Sequence, residues 1–297
     1  MKLVTYRCDG RDRVGVLCGD GVHDAGFDGD MVALIEVWED NRERVRRAAE
    51  TSHAVAGARL LAPLRPRSMR DFLAFEAHLI GAMGALGRSI PDEWYRVPAY
   101  YKGMPDTVIG PGEDVPLPTY SNHLDVELEL AAVIGRAGRD ITPERALEHI
   151  FGWTIWNDVS ARDTQARELP VGMGPAKAKD WDGSNVLGPC LVTRDELDGR
   201  DVRMRLEVNG VLWGEDRSGS MHHRFEDLIA YASQCQTLYA GEVFGSGTSA
   251  GGSGIETGRR LSPGDVIAME VEGIGVLRNR LGRETAREVA ERERAAG

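Results

Sequence analysis

The chain opens with two alternating apolar runs, Leu3-Val-Thr-Tyr-Arg7 and Arg13-Val-Gly-Val-Leu-Cys18, separated by Asp9-Gly10. A period of two across an Asp-Gly step predicts a β-hairpin, and Asp20-Gly21 predicts a second turn. From Met31 to Ala56 the pattern changes to helical spacing, with Glu43-Arg44-Val45-Arg46-Arg47 as a solvated face. Pro63 and Pro66 interrupt the stretch from Leu60 to Ser68, so residues 1–62 are expected to form a small N-terminal hairpin and helix unit. Residues 69–282 show no comparable break. Within them, Asp125-Val-Glu-Leu-Glu-Leu-Ala-Ala-Val-Ile-Gly135 and Phe151-Gly-Trp-Thr-Ile-Trp-Asn-Asp158 read as buried strands, and Leu261 to Arg278 alternates like a strand pair. Residues 283–297 carry a charged helical pattern over Ala286 to Ala296, expected as a surface tail. The expected class is α+β and mostly β.

Composition narrows the partners. With 297 residues and 42% hydrophobic content the chain can bury a sizeable core. A formal charge of -11 argues against nucleic acid, which requires a basic face. No apolar run approaches the ~18 residues of a membrane span. The start Met-Lys-Leu-Val-Thr-Tyr-Arg-Cys is too polar for a secretory signal, and the four cysteines have no metal-type spacing, which suits a reducing cytoplasm.

The informative departure from a plain core strand is acidic. Residues two apart on a strand point the same way, roughly 6.5 Å apart. Asp125, Glu127 and Glu129 therefore share one face and Val126, Leu128 and Leu130 the other. Crowded carboxylates on a buried strand repel one another and lose hydration, so they call for a cation unless the face is solvated. Asp158, at the end of the next strand-like run, adds a further oxygen donor, although Asn157-Asp158 could equally cap a following helix. An all-oxygen set selects hard ions, Mg2+, Mn2+ or Ca2+, over zinc.

Other chemistry lies nearby in sequence. Asp71 and His78, seven apart, would share a helical face if the segment is helical, and a histidine titrating near neutrality suits proton abstraction. Lys179 and Arg162 could supply positive charge to an oxyanion or substrate carboxylate. The glycine-rich stretch Gly245 to Gly254 lacks the Gly-Lys-Ser/Thr ending of a phosphate loop. It is expected to set backbone amides and the Thr248 hydroxyl against a small anionic group, with Glu256 just beyond.

Taken together, six motifs resemble the fumarylacetoacetate hydrolase family over about residues 70 to 282. They are Asp71-x6-His78, Asp125-x-Glu127-x-Glu129-x-Ala-x-Val-Ile-Gly, Asn157-Asp158-x-Ser-Ala-Arg162-Asp163-x-Gln165, Lys179 ten residues before Pro189 in Leu-Gly-Pro, Gly247-Thr248, and Glu270-x-Glu-Gly-Ile-Gly-x-Leu-Arg-Asn279. The resemblance implies a mixed β-roll or β-sandwich catalytic domain behind a small N-terminal α/β unit, usually a homodimer holding Mg2+ or a similar ion. It implies Glu127, Glu129 and Asp158 as metal ligands and Asp71 as the fourth ligand of true fumarylacetoacetases. His78 matches the general base and Glu256 its carboxylate partner. Arg162, Gln165 and Lys179 match groups that stabilise a departing enolate, and Tyr101 and Thr248 match substrate contacts.

Two positions depart from the family pattern. Gly183 stands where relatives often have threonine, and Gly81 follows His78 by three, where shorter members of the family carry glutamate. The implied activity is Mg2+-dependent hydrolysis of a carbon–carbon bond in a β-diketo acid. The alternative is decarboxylation or tautomerisation of a 2-oxo dicarboxylic acid at the same site.

Overall fold

The computed structural model describes residues 1–19, 21–85, 87–285 and 294. Among them a mixed eleven-stranded sheet carries the fold. Its three central strands, Leu128–Ile134, Ile150–Asp158 and Asn185–Thr193, are buried at every position. That is why they read as continuous apolar runs rather than as alternating ones. Alternation instead decides which layer each residue meets. Val126, Leu128, Leu130, Ala132 and Ile134 join one core, together with Met204, Leu206 and Met269 of a second, five-stranded sheet. Ala131 and Val133 point the other way, into a core closed by Met31, Leu34, Ile35 and Val45 of the N-terminal helices. Each large side chain buried in these layers contributes about 1.5–3 kcal/mol, so a carboxylate admitted to either layer needs a specific reason.

The N-terminal hairpin forms as expected, with Lys2–Cys8 antiparallel to Arg11–Cys18, and Gly21–Asp24 follows as a third strand. Lys2 and Leu3 also pair with Val192 and Leu191, so segment 1–62 shares the large sheet with the later segment. The helical stretch expected from Met31 to Ala56 is two helices, Met31–Glu36 and Trp38–Thr51, and it ends before Ala56. Asp30 starts the first by accepting from the Ala33 N–H at 2.8 Å. The break at Val37 re-aims the chain so that both short apolar faces reach the sheet. Val266–Val271 and Gly275–Thr285 form the expected strand pair. The charged tail Ala286 to Ala296 lies outside the described residues, Arg294 excepted. Among the described residues no helix is long and apolar enough to cross a membrane.

Candidate metal centre and active site

Strand ends bring the acidic residues together. Asp71 lies on Ser68–Phe72, which runs parallel to Glu242–Gly245 with Asp71 opposite Gly245. Asp71 and His78 therefore do not share one helix, since His78 alone lies on Glu76–Ala85. Glu127 occupies a gap between Leu124–Asp125 and Leu128–Ile134. The side chain of Asn157 repairs that gap by accepting from the Glu127 N–H at 3.1 Å, and the Asp158 N–H donates to the Glu127 carbonyl at 3.2 Å. Asn157 and Asp158 are thus committed to the strand junction. They cap no helix, because Arg162–Glu168 begins at Ala161 with no side-chain cap. Gly245 is dictated by crowding: a Cβ there would lie 2.4 Å from Glu129 Oε2 and 2.7 Å from the Trp156 ring.

The result is a buried cluster of Asp71, Glu127, Glu129 and Asp158 whose candidate ligand atoms all lie within 4.8 Å of one another. Asp71 Oδ1, Glu129 Oε1 and Asp158 Oδ1 are buried without a hydrogen-bond partner. Buried polar atoms are rarely left so, and carboxylate oxygens gathered this closely are the donor set of a hard divalent cation. The residues present therefore fit such an ion.

Electrostatics points the same way. Burial, with the Asp158 charge added, pushes the Asp71 carboxyl well above its ordinary range. Burial, with the Asp71 and Asp158 charges added, does the same to Glu129. Burial also raises Asp158, partly offset by Lys179. Glu127 differs: burial pushes it up, but Lys179 and Arg162 outweigh that and hold it at about 2. The cluster thus has one firmly ionised member and three that resist ionisation together.

Two cations and a phenol flank the cluster. Lys179, buried, donates to both Glu127 and Asp158 and lies 5.4 Å from the Tyr101 ring centroid. Arg162 Nη1 reaches Glu127 at 2.7 Å, its Nε donates to Asp125 at 2.9 Å, and Gln165 accepts from it at 3.0 Å. The Tyr101 hydroxyl donates to Asp158 Oδ2 at 2.6 Å. Burial works against the charges of Lys179 and Arg162, yet the facing carboxylates raise both pKa values.

His78 lies beside this assembly. Its Nδ1 is 2.8 Å from Glu256 Oε1, a partner 178 residues away. The helix that carries it has Glu76 in its first turn, where negative charge favours the N-terminus. It is closed at the other end by Gly87 at φ +64, with the Arg88 N–H donating to the Met83 carbonyl. Gly81 lies one turn beyond His78, where a Cβ would sit 3.1 Å from Glu256 Cγ. The Glu256 side chain thus fills the space that a residue at 81 would take.

The glycine-rich loop acts differently from expectation. Its amides hold anions, but those anions are the protein's own carboxylates. Gly247 N donates to Glu129 at 3.2 Å, Gly251 N to Glu256 at 2.8 Å, and Gly254 N and Ile255 N to Asp125 at 2.7 and 3.0 Å. Asp125 was grouped in sequence with Glu127 and Glu129, but the break in the strand turns it away to clamp Arg162 to this loop. No sequence signal separates it from its neighbours, since alternation is lost where strand pairing stops. Gly183 also has a local reason: its φ is +84, and a Cβ would meet Pro116 at 2.5 Å. Thr248 is buried and lines, with Asp71, His78, Glu127, Arg162 and Lys179, a cavity of about 270 Å³. Every candidate side chain named from the sequence is in this one neighbourhood.

A buried acidic centre at the strand ends of a mixed β fold, with an imidazole–carboxylate pair beside it, is the arrangement of an enzyme site that could hold a divalent ion. The comparisons place the chain in a family of enzymes. The C-terminal fumarylacetoacetate hydrolase family model matches residues 68–282, and the chain belongs to this family. The fumarylacetoacetate hydrolase of psychrophilic Exiguobacterium antarcticum superposes with a TM-score of 0.79 at 31% identity, covering 95% of this chain and 99% of that one. Oxaloacetate tautomerase FAHD2A of Homo sapiens, a mitochondrial protein, is 36% identical over 189 residues, 62% of this chain. The match covers 59% of the human protein, so the chain spans about three fifths of that relative. The maleylpyruvate hydrolase of Sphingobium sp. SYK-6, solved with manganese(II) and pyruvate, shares the fold at 22% identity and a TM-score of 0.78, covering 96% of this chain and 100% of that one.

Proposed function

We propose that this chain is a divalent-cation-dependent hydrolase cleaving a carbon–carbon bond in a β-diketo acid, with His78 as the base. The observation that carries the reading is the His78–Glu256 pair at 2.8 Å, of which His78 lines the same cavity as Asp71 and Glu127 of the acidic cluster. Asp71, Glu127, Glu129 and Asp158 would hold the ion, Mg2+ or Mn2+. Bound there, it would supply Lewis acidity toward the substrate's oxygens.

The chain's own residues do the rest. Glu256 accepts the Nδ1–H of His78, which leaves Nε2 as the basic atom. His78 takes a proton from water, and the hydroxyl adds to the acyl carbonyl carbon. The bond from that carbon to the neighbouring methylene then breaks. Its electron pair leaves as an enolate, which takes the proton back on carbon, so one water yields one carboxylic acid and one oxo acid, a 3-oxo acid from a 3,5-dioxo substrate or a 2-oxo acid from an acylpyruvate. Lys179 and Arg162 set positive charge against the growing enolate, and Gln165 fixes the Arg162 fork. Tyr101 and Thr248 orient the substrate. A cytoplasmic homodimer belongs to the same reading and is tested by light scattering.

Two features support hydrolysis over the alternative: Asp71 joins the cluster, and the carboxylate on His78 comes from Glu256 rather than from position 81. The name of the human relative supports the second reading, in which His78 carries a proton between carbon and oxygen of a 2-oxo dicarboxylic acid and consumes no water. Turnover in 18O-labelled water separates them. Label in the carboxylic acid product supports hydrolysis. An unlabelled product, or exchange of the methylene hydrogens without cleavage, rejects it.

A further inference from the structure

We infer that the acyl side of the cavity takes an apolar group, so that the substrate is a monocarboxylic acylpyruvate-like acid rather than a dioxo dicarboxylic acid. The inference rests on the proposed reading that a β-diketo acid binds here, and it concerns the end of the molecule away from the acidic cluster. The cavity's charged side chains are few: Asp71, Glu127, Arg162 and Lys179, beside His78. Among its described lining residues the cations are Arg162 and Lys179, and both are committed to the carboxylates Asp125, Glu127 and Asp158. Gln165, Thr248 and the Tyr100 and Tyr101 hydroxyls add neutral polar groups, and the rest of the lining is apolar, with Leu79, Ala82, Met83, Leu169, Pro175 and Ile255 supplied by the helix and loops around His78. Ala82 and Met83 lie one turn along the helix from His78, and Leu169 and Pro175 come from the segment after helix Arg162–Glu168. Between these two lining residues the same segment carries two more apolar side chains, Val171 and Met173, 74% and 83% exposed.

A second carboxylate placed against this wall would give up hydration and meet no compensating charge. An alkyl or aryl group of the same shape would gain from leaving water. At about 270 Å³ the cavity is also small, near the lower bound for ligand sites, which leaves little room for a hydrated anion to keep its shell.

The test uses the full chain loaded with Mn2+ and two isosteric acids: an acylpyruvate ending in an isopropyl group, and the same chain ending in a carboxylate. Binding is read by calorimetry and cleavage by release of pyruvate. The isopropyl acid should bind at least about tenfold more tightly, and it should be the better substrate by kcat/KM. Met83→Arg places a cation on the apolar wall and should reverse the preference while a thermal melt shows a folded protein. Equal or tighter binding of the carboxylate-ended acid to the unsubstituted protein overturns this inference but leaves the hydrolytic reading intact. Tighter binding of the isopropyl acid without pyruvate release upholds the inference and rejects hydrolysis.

Discussion

Two groups of buried charge lie on adjacent strands and have opposite characters. Arg70 and Glu242, each under 6% exposed as side chains, form an ion pair of balanced charge, with the Phe244 and Tyr100 rings 5.2 and 5.8 Å from the guanidinium. One positive charge meets one negative charge. One residue further along the same strand, Asp71 enters a group in which it, Asp125, Glu127, Glu129 and Asp158 meet, among the described lysines and arginines, Lys179 and Arg162. Five carboxylates against two cations cannot all ionise there without an excess of negative charge that burial makes costly. The contrast teaches that depth alone does not mark a site. A balanced pair secures the sheet, whereas an unbalanced one, with three orphaned carboxylate oxygens, is built for something that completes it.

The contrast can be broken most severely at the base. His78→Ala should lower turnover by about a hundred- to ten-thousandfold while Mn2+ affinity, measured by calorimetry, stays the same. Equal loss of metal binding would mean that His78 belongs to the cluster itself. Next in size, Glu129→Gln should weaken Mn2+ binding by more than about a hundredfold, beyond the loss expected for a residue that only supports a ligand. Glu242→Gln should do the reverse: it strands Arg70 and costs about 3–5 kcal/mol of stability in denaturant titration, yet leaves Mn2+ affinity unchanged.

A smaller effect separates the two regions by pH. Burial and mutual repulsion raise the carboxyls of Asp71 and Glu129 above their ordinary values. Stability contributed by their protonated forms is complete below the ordinary carboxylate range and is lost as pH rises through the raised values. The Tm of cation-free protein should therefore fall across that window. Mn2+ at a hundred times its Kd should restore about 2.7 kcal/mol at neutral pH, and a pH-independent, Mn2+-insensitive Tm would contradict the cluster's unbalanced charge. The mildest change is Gly81→Ala. Its methyl presses on Glu256, so turnover should drop several-fold with Mn2+ affinity unchanged.

Much of this site was legible in the chain because its chemistry is written in residue types that strands rarely bury. Glu127 and Glu129 declare themselves inside an apolar run, and Asp158 ends a second run whose pairing partner is the first. Ordered motifs brought in His78 and Lys179, and the family resemblance added Glu256, none of which local periodicity could have joined. What remained hidden is what pairing decides. The gap at Glu127 turns Asp125 toward Arg162, and Asp71 belongs to a strand because its parallel partner Glu242–Gly245 lies far along the chain. The anion held by the glycine-rich loop was visible as a need but not as an identity. Its amides close on Asp125, Glu129 and Glu256, contacts that exist only after the sheet has formed. Likewise, the helical pattern of Met31 to Ala56 does not encode the break at Val37, which serves packing on the sheet.

The most direct test is a calorimetric titration of the metal-stripped full chain with Mn2+, run beside Asp158→Asn and Glu129→Gln. One ion per chain in the parent protein, with binding lost or strongly weakened in both variants, is the expected result. No saturable binding, or binding that survives both substitutions unchanged, would contradict the acidic cluster as the metal centre.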